Sequence, residues 1–507
     1  MRSIKITALL LAALLCIPLL AACAENGGGV NTRPQGQNGS EDVGNFAQGE
    51  FDNEDFTFLY IKHSDIGKDY YGGNYLDAES LTGATIEDAV YNRNMAVEEK
   101  YKVNINQRVE ISGDPAAILQ TFYMSGDFIF DVIYGWGYKL GSCIPENYFA
   151  DISALPHVDL TKDYWSPSAI EDLSINGKLY LCINDISMNK LEWADFLFYN
   201  KQLSEDYNVE ATYGTFYDLV SEGKWTLDTY LKVLSHVSND LDGDGQITRD
   251  DVYGIVDGAG NGMVIGTACG MDLTSKMDDG SYTLNYYNEK TLDIANKVYE
   301  VYSNSKYVKD YEELGQNADT TGYTDQWEYY RSFFARDHAL FCSGSAYITS
   351  EFRNMDSDYG ILPLPKYDEN QANYRHTVSS LASIFAIPST YRNDVSTAGA
   401  ERTGMILEYM AYKSQQELLP KYYDTLLKGQ RLDSEQDQAM LDTIRDTIRY
   451  EFADMMGLTE LSKNCAAIYT KPTTASSTYK RNENKLQKTL DDFYTETLLL
   501  GSKEESK

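Results

Sequence analysis

The run DFTFLYIKH (55–63) alternates apolar and polar side chains with a period of two, which predicts a strand. From 82 to 103 the period lengthens. Ile86, Ala89, Val90, Met95, Ala96 and Val97 recur at helical spacing, with Thr85 as the expected N-cap and Asp88, three residues on, as its capping-box partner. VNINQRVEI (103–111) alternates again, DPAAILQTFYMSG reads as helix, and FDVIYGWG (130–137) reads as a strand ending in glycines. Strands alternating with helices predict an α/β lobe with a largely parallel sheet. Ligands bind outside the carboxyl ends of strands in such sheets. The end of DVIYGWG carries Tyr134, Trp136 and Tyr138, which sets aromatic faces where a ligand would lie.

The pattern continues through two strand-like runs, INGKLYLCINDIS (175–187) and LEWADFLFYNKQL (191–203). A helical run covers Thr226 to Val237, and another covers KTLDIANKVYEVYSNS. HALFCSGSAYITSEFR reads as strand, glycine turn and helix; GILPLPKYDENQ reads as an extended, proline-punctuated connector; ASIFAIP reads as a strand. From Glu401 onward the chain is mostly helical in pattern.

The first residues belong to a different class. Arg2 and Lys5 precede an apolar run from Ala8 to Leu20, too short for a confident membrane span. Leu20-Ala21-Ala22-Cys23 resembles a bacterial lipobox, so residues 1–22 are expected to be a lipoprotein signal peptide and Cys23 the acylated N-terminus. An ordinary secretory signal is the alternative. Each buried CH₂ of an acyl chain contributes roughly 0.8 kcal/mol, so two or more chains hold a protein on a membrane. Residues 23–50 are rich in Gly, Asn, Gln and Ser and bury too little to offset ordering, which predicts a flexible tether spanning about 30 Å. No later segment is apolar enough to cross a membrane.

Charge narrows the partners. With 77 acidic and 43 basic residues in 507, the formal net charge is −34, and removing the leader takes away two basic residues and no acids. Too few basic residues remain to neutralise phosphates, which argues against nucleic acid. Repulsion from anionic lipid leaves the acyl chains as the expected anchor. The body from about residue 51 is too long for one small core, so two lobes are expected. Five cysteines (Cys143, Cys182, Cys269, Cys342 and Cys465) lie far apart in apolar surroundings and read as buried free thiols.

One motif stands apart. NDLDGDGQITRDDVYGI, from Asn239 to Ile255, matches the first half of a calcium loop. Asp240, Asp242 and Asp244 take the first three carboxylate positions, Gly245 the sharp turn, and Gln246 offers its carbonyl. Asp251 stands where a bidentate glutamate is usual. Calcium wants six to eight hard oxygens, and clustered carboxylates repel one another without it. An unfilled acidic turn is the alternative. A sensor pairs two loops between helices; this single copy runs into strand-like VYGIV. The expected role is a structural Ca²⁺ staple that binds the folded state only.

The order of lipobox, glycine-rich tether, α/β lobe, NGKLYL, FYNKQL, GKWTLDTYLKVL, acidic loop and YGILPLPKYDENQ resembles the extracellular solute-binding proteins of ABC importers, especially the carbohydrate-binding, maltose-binding-protein-like group. The resemblance spans essentially the whole mature body. It implies a type II periplasmic-binding-protein fold: two α/β lobes joined by hinge strands around a ligand cleft. Lobe one would cover 51–185 and 376–412, and lobe two 186–375 with the loop 240–251. The C-terminal helices, 413–507, would pack mainly on lobe two. Crossings would lie near LYLCINDIS and PKYDENQANYRHTV.

The resemblance also implies function. A monomeric receptor would capture a carbohydrate, in this group an oligosaccharide, by lobe closure and deliver it to permease subunits. Sugars pack C–H faces on aromatic rings and need polar partners for hydroxyls. The chain has 41 Tyr, 18 Phe and 5 Trp, far more than a site needs, so most rings must be core. Trp136 and Tyr138 at the end of the third strand, Asp185 near the hinge, Trp193 after the crossing, and Ser345 and Tyr347 in the turn GSAYI are the ligand-binding candidates. A receptor for peptides or another small solute is one alternative; a secreted glycoside-active enzyme is another. H-E-x-x-H and G-x-S-x-G are absent, and the five histidines lack metal-ligand spacing, so no catalytic role is expected.

Overall fold

Strand β1 (Glu54–Lys62) buries Phe56, Phe58, Leu59, Tyr60 and Ile61. That near-continuous burial suits a strand covered on both faces. It runs parallel to β2 (Val103–Ile111) on one side and to β3 (Val132–Trp136) on the other. With β4 (Leu181–Cys182) and β13 (Ser383–Ala386) it forms a five-stranded sheet in the order β2-β1-β3-β13-β4, in which β13 is antiparallel to both neighbours. A second five-stranded sheet has the order β11-β5-β10-β6-β9. It comprises β5 (Phe196–Asn200), β6 (Tyr253–Asp257), β9 (Val308–Asp310), β10 (Ala339–Gly344) and β11 (Tyr359–Leu362). In it β6, β9 and β10 are parallel and β5 is antiparallel to β10 and β11. Two small ladders complete the strands: β7 (Thr274–Lys276) with β8 (Tyr282–Leu284), and β12 (His376–Thr377) with β14 (Ile448–Arg449). The computed structural model describes residues 45–504 apart from 63–74, 242, 244–250, 258–260, 311–325, 353, 391–392, 395–396 and 429–433.

The α/β expectation holds, and the two sheets draw on strands from 54–182 with 383–386 and from 196–362 respectively. Both sit within one compact unit, Phe46–Lys507. Local details differ from the sequence reading. The helix Thr85–Tyr101 is preceded by Ala84 as N-cap, and Asp88 instead accepts the Thr82 and Gly83 N–H groups at 2.8 and 3.2 Å. Only Leu181–Cys182 of the run 175–187 is strand. GILPLPKYDENQ is not all connector: its first residues complete β11, an edge strand that Pro363 and Pro365 end.

The C-terminal helices reach further than expected. The helix Ala398–Lys428, whose first half falls in the span assigned to lobe one, packs on Thr85–Tyr101, and Ala475–Glu504 touches Ile144–Glu146. Glu435–Asp446 packs on β11, and Thr459–Thr470 packs on Gly262–Ala268 and Glu289–Tyr302. The C-terminal segment therefore touches elements of both lobe spans rather than mainly the second. Gly404 permits one close approach, since a Cβ there would overlap the Pro156 carbonyl oxygen. Two residues earlier, buried Arg402 donates to Glu54 Oε2 at 2.6 Å and to Asp131 Oδ1, and Asp131 Oδ2 accepts the Thr57 N–H at 2.9 Å. All five cysteines described are free and buried.

Candidate functional site

Parallel strands aim their carboxyl ends at one edge. In the first sheet that edge holds Lys62, Ile111 and Trp136, and β13 starts there with Ser383 paired to Trp136. In the second it holds Asp257, Asp310 and Gly344, and β5 starts there with Phe196 paired to Gly344. A single stretch, Thr377–Ser383, hydrogen-bonds residues at both edges. The Asp195 N–H donates to Thr377 O at 3.2 Å and the Ser379 N–H to Trp193 O at 2.9 Å. Farther along, the Tyr138 N–H donates to Ser380 O at 3.1 Å and the Gly137 N–H to Ala382 O at 2.9 Å. Seven residues span at most about 25 Å, so the Trp136–Tyr138 and Trp193–Asp195 segments belong to one neighbourhood.

Three stretches run side by side here. Ala194 and Val378 form an antiparallel bridge, and His376–Thr377 pairs parallel with Ile448–Arg449. His376 ties them. Its Nε2 accepts the Leu364 N–H at 3.1 Å, which assigns the ring proton to Nδ1, 2.8 Å from Thr447 Oγ1. Burial pushes its pKa down to about 3, so the ring is neutral.

The antiparallel register explains the aromatic pair. The ladder ends with Gly344 opposite Phe196; Trp193 comes just before β5 and Tyr347 sits in the 3₁₀ turn Ala346–Phe352 just after β10, so both leave the same end of this pair. The last two rings stack, with centroids 4.5 Å apart and planes inclined by 22°. No sugar ring fits between faces that close. Trp193 is 4 % exposed and Tyr347 half-buried, so the tyrosine presents the open ring surface and the tryptophan backs it. At the other edge Trp136 is likewise buried at 6 %, beside half-buried Tyr138 with centroids 5.9 Å apart. Tyr347 also lies under the Arg331 guanidinium at 5.9 Å, and Arg331 grips Glu351 through two bonds of 2.6 and 2.7 Å. Burial pushes the Tyr347 hydroxyl up to about 12, so it stays a neutral donor.

Asp185 is placed differently from the expectation that it receives sugar hydroxyls. It is buried and ion-paired with Lys190, whose Nζ also donates to Ser166 Oγ at 3.0 Å. The short helix Asn189–Glu192 turns Lys190 inward and supplies that partner. In the acidic loop, Asp240 Oδ1 accepts the Gly243 N–H and Asp251 Oδ1 the Leu241 N–H, both at 2.7 Å. Asn239 and Val252 bridge the loop ends. Asp242, Asp244 and Gln246 lie outside the described residues, as does Cys23.

Two acids at the site escaped the sequence reading. Glu192 accepts from the Tyr75 hydroxyl and from Asn189 Nδ2 at 3.1 Å, and burial pushes its pKa up to about 7. Asp195 is pushed up to about 7 by burial and then by the charge of Asp257. Its carboxylate makes no hydrogen bond among the described residues. The signal was present: Asp195 is the one charge between Trp193 and the apolar run FLFYN. Away from this edge, Glu451 is pushed up to about 8, chiefly by burial.

These three acids bind protons in the folded state between their ordinary range near 4 and about 7–8, where the unfolded chain has released them. Stability should therefore fall as pH rises from 5 to 8, by up to about 1.4 kcal/mol per unit for a fully buried acid. Melting curves across that range test this, and Glu451→Gln should flatten the slope.

No family model matches the chain, and no curated protein matches it by sequence. Solved structures do match. The GacH receptor of Streptomyces glaucescens, studied unliganded and with acarbose, is 13% identical, with a TM-score of 0.51 over 86% of this chain and 99% of that one. An ABC substrate-binding protein of Listeria monocytogenes in complex with cycloalternan is 12% identical, with a TM-score of 0.52 over 87% and 100%. A maltose-binding periplasmic protein from the same organism is 14% identical, with a TM-score of 0.50 over 88% and 99%. At these identities the likeness is one of fold: the chain folds as these two-lobed α/β binding proteins do.

Proposed function

We propose that this protein is a lipid-anchored extracellular receptor that captures a carbohydrate between its two sheets and hands it to an ABC permease, without chemical turnover. The observation that carries this reading is the Thr377–Ser383 stretch, which hydrogen-bonds both the Gly137–Tyr138 and the Trp193–Asp195 segments beside three paired stretches, read here as the crossings. Rings backed by buried tryptophans offer faces for sugar C–H groups, and open carboxylate and hydroxyl groups offer partners for sugar hydroxyls. Crossing strands are few, so a small change in their dihedrals swings one sheet toward the other. The neighbours' acarbose, cycloalternan and maltose support an oligosaccharide as the guest. Calorimetry against neutral oligosaccharides should give saturable one-to-one binding, with the sugar recovered intact. Hydrolysed sugar would favour an enzyme instead.

The anchor and the metal belong to the same reading. Acylated Cys23 holds the receptor on the outer face of the cell membrane, and Cys23→Ala should move it from the membrane fraction to the medium. Calcium at Asp240, Asp242, Asp244, Gln246 and Asp251 staples the corner leading into β6. At a hundredfold excess over its Kd, calcium would add about 2.7 kcal/mol. Melting in calcium and in chelator tests this; equal melting temperatures would count against the staple.

A further inference from the structure

Among the described residues at the carboxyl edge of the second sheet, several acids stand close together. Asp257 ends β6 and is already used: its Oδ1 accepts from Asn261 Nδ2 at 2.5 Å, and its Oδ2 from the Tyr302 hydroxyl at 3.3 Å. Glu351 is held by Arg331, so that guanidinium is committed to its own carboxylate. Asp195 has no such partner. It sits one residue beyond the β5–β10 ladder, half-buried, between Trp193 of the aromatic stack and the start of β5, and its N–H donates to Thr377 O at 3.2 Å. The Ser345 hydroxyl, too, makes no hydrogen bond among the described residues.

A half-buried carboxylate without a donor is costly unless something outside the chain supplies one. The geometry points to Asp195 as the residue that sets the charge class of the guest: its carboxylate, at the end of the β5–β10 ladder and two residues from Trp193 of the aromatic stack, accepts donors from a neutral or amine-bearing sugar and turns away uronic acids and sugar phosphates. This rests on the receptor reading above and adds a selectivity to it. The repulsive half has a physical source, since an anionic guest would meet the Asp195 carboxylate, with the charge of buried Asp257 close by, while the nearby Arg331 is neutralised by Glu351. The charge of Asp195 is also felt by Tyr347, the ring with open surface, so the acid and the platform act on one guest.

The groups around Asp195 fix the pH response. Asp257 on β6, Tyr347 after β10, and the Arg331–Glu351 pair behind that ring are the charged and titratable groups placed by contact or charge effect. A guest that donates to the carboxylate favours its ionised form, and so releases a proton where Asp195 is partly protonated. Affinity should then tighten as pH rises from 6 to 8.

Calorimetry on the purified mature chain tests this with three probes: maltotetraose (neutral), the glucosamine tetramer (amine-bearing) and tetragalacturonate (anionic). The expected result is binding of the neutral or amine-bearing tetramer at least tenfold tighter than tetragalacturonate. Asp195→Asn, of the same shape, should weaken the preferred probe tenfold or more, narrow its margin over tetragalacturonate, and abolish the pH response. Asp195→Ser should do the same, which guards against a fold defect in either variant. Preference for tetragalacturonate, or unchanged affinity in both variants, overturns the role of Asp195 and leaves the carbohydrate receptor standing. Failure of every saccharide to bind a folded wild-type chain overturns the receptor reading, and the charge selectivity with it.

Discussion

Truncating Trp193 to alanine is expected to lower the unfolding free energy by about 3–5 kcal/mol, the usual cost of removing a buried tryptophan. The ring is 4 % exposed and stacked on Tyr347, so its loss leaves a cavity and an unsupported platform. Carbohydrate affinity should fall further than in Tyr347→Ala, because Trp193 positions Tyr347 and its carbonyl also accepts the Ser379 N–H of the connecting stretch. Trp193→Phe separates the two effects. It keeps an aromatic backing, and should recover much of the stability while restoring affinity in part. Urea unfolding and calorimetry on the same preparations read both quantities. Trp193→Ala with native stability and native affinity would remove the stack from the account.

Replacing Arg402 by methionine is expected to cost about 3–5 kcal/mol, because it takes the cationic partner from a buried carboxylate. Asp131 is 2 % exposed, and its carboxylate accepts from the Arg402 guanidinium and from the Thr57 N–H. Glu54, the other partner, is well exposed and loses little. The cost belongs to the uncompensated charge rather than to the ion pair itself. Arg402→Met with Asp131→Asn should thus be more stable than Arg402→Met alone. Denaturant midpoints of the two single variants and the double variant give the coupling. Additive losses would show that Arg402 acts through packing of the helix Ala398–Lys428 and not through Asp131.

Much of this fold was legible because its signals are local. The period of two in DFTFLYIKH and the glycines after FDVIYGW mark strands that the structure contains. Trp193 and Tyr347 were each legible as candidates, but their contact was not. It depends on β5 lying antiparallel beside β10, which are far apart in the chain. Asp185 shows the opposite failure. Its place near the crossing was visible, while the inward turn of Lys190, set by a one-turn helix, was not. Asp195 was overlooked because a single acid at the start of a strand looks like an ordinary solvated position. Only its neighbours reveal that it meets no donor among the described residues. The reach of the C-terminal helices depends on long-range packing, such as Gly404 against Pro156, that no periodicity announces.

The central claim is that two sheets linked by a few crossing strands close over a sugar. Small-angle scattering of the purified mature protein, alone and saturated with its tightest-binding oligosaccharide, tests this directly. The account predicts a smaller radius of gyration in the saturated state, with the sugar unchanged. Saturation with no change in radius would contradict it.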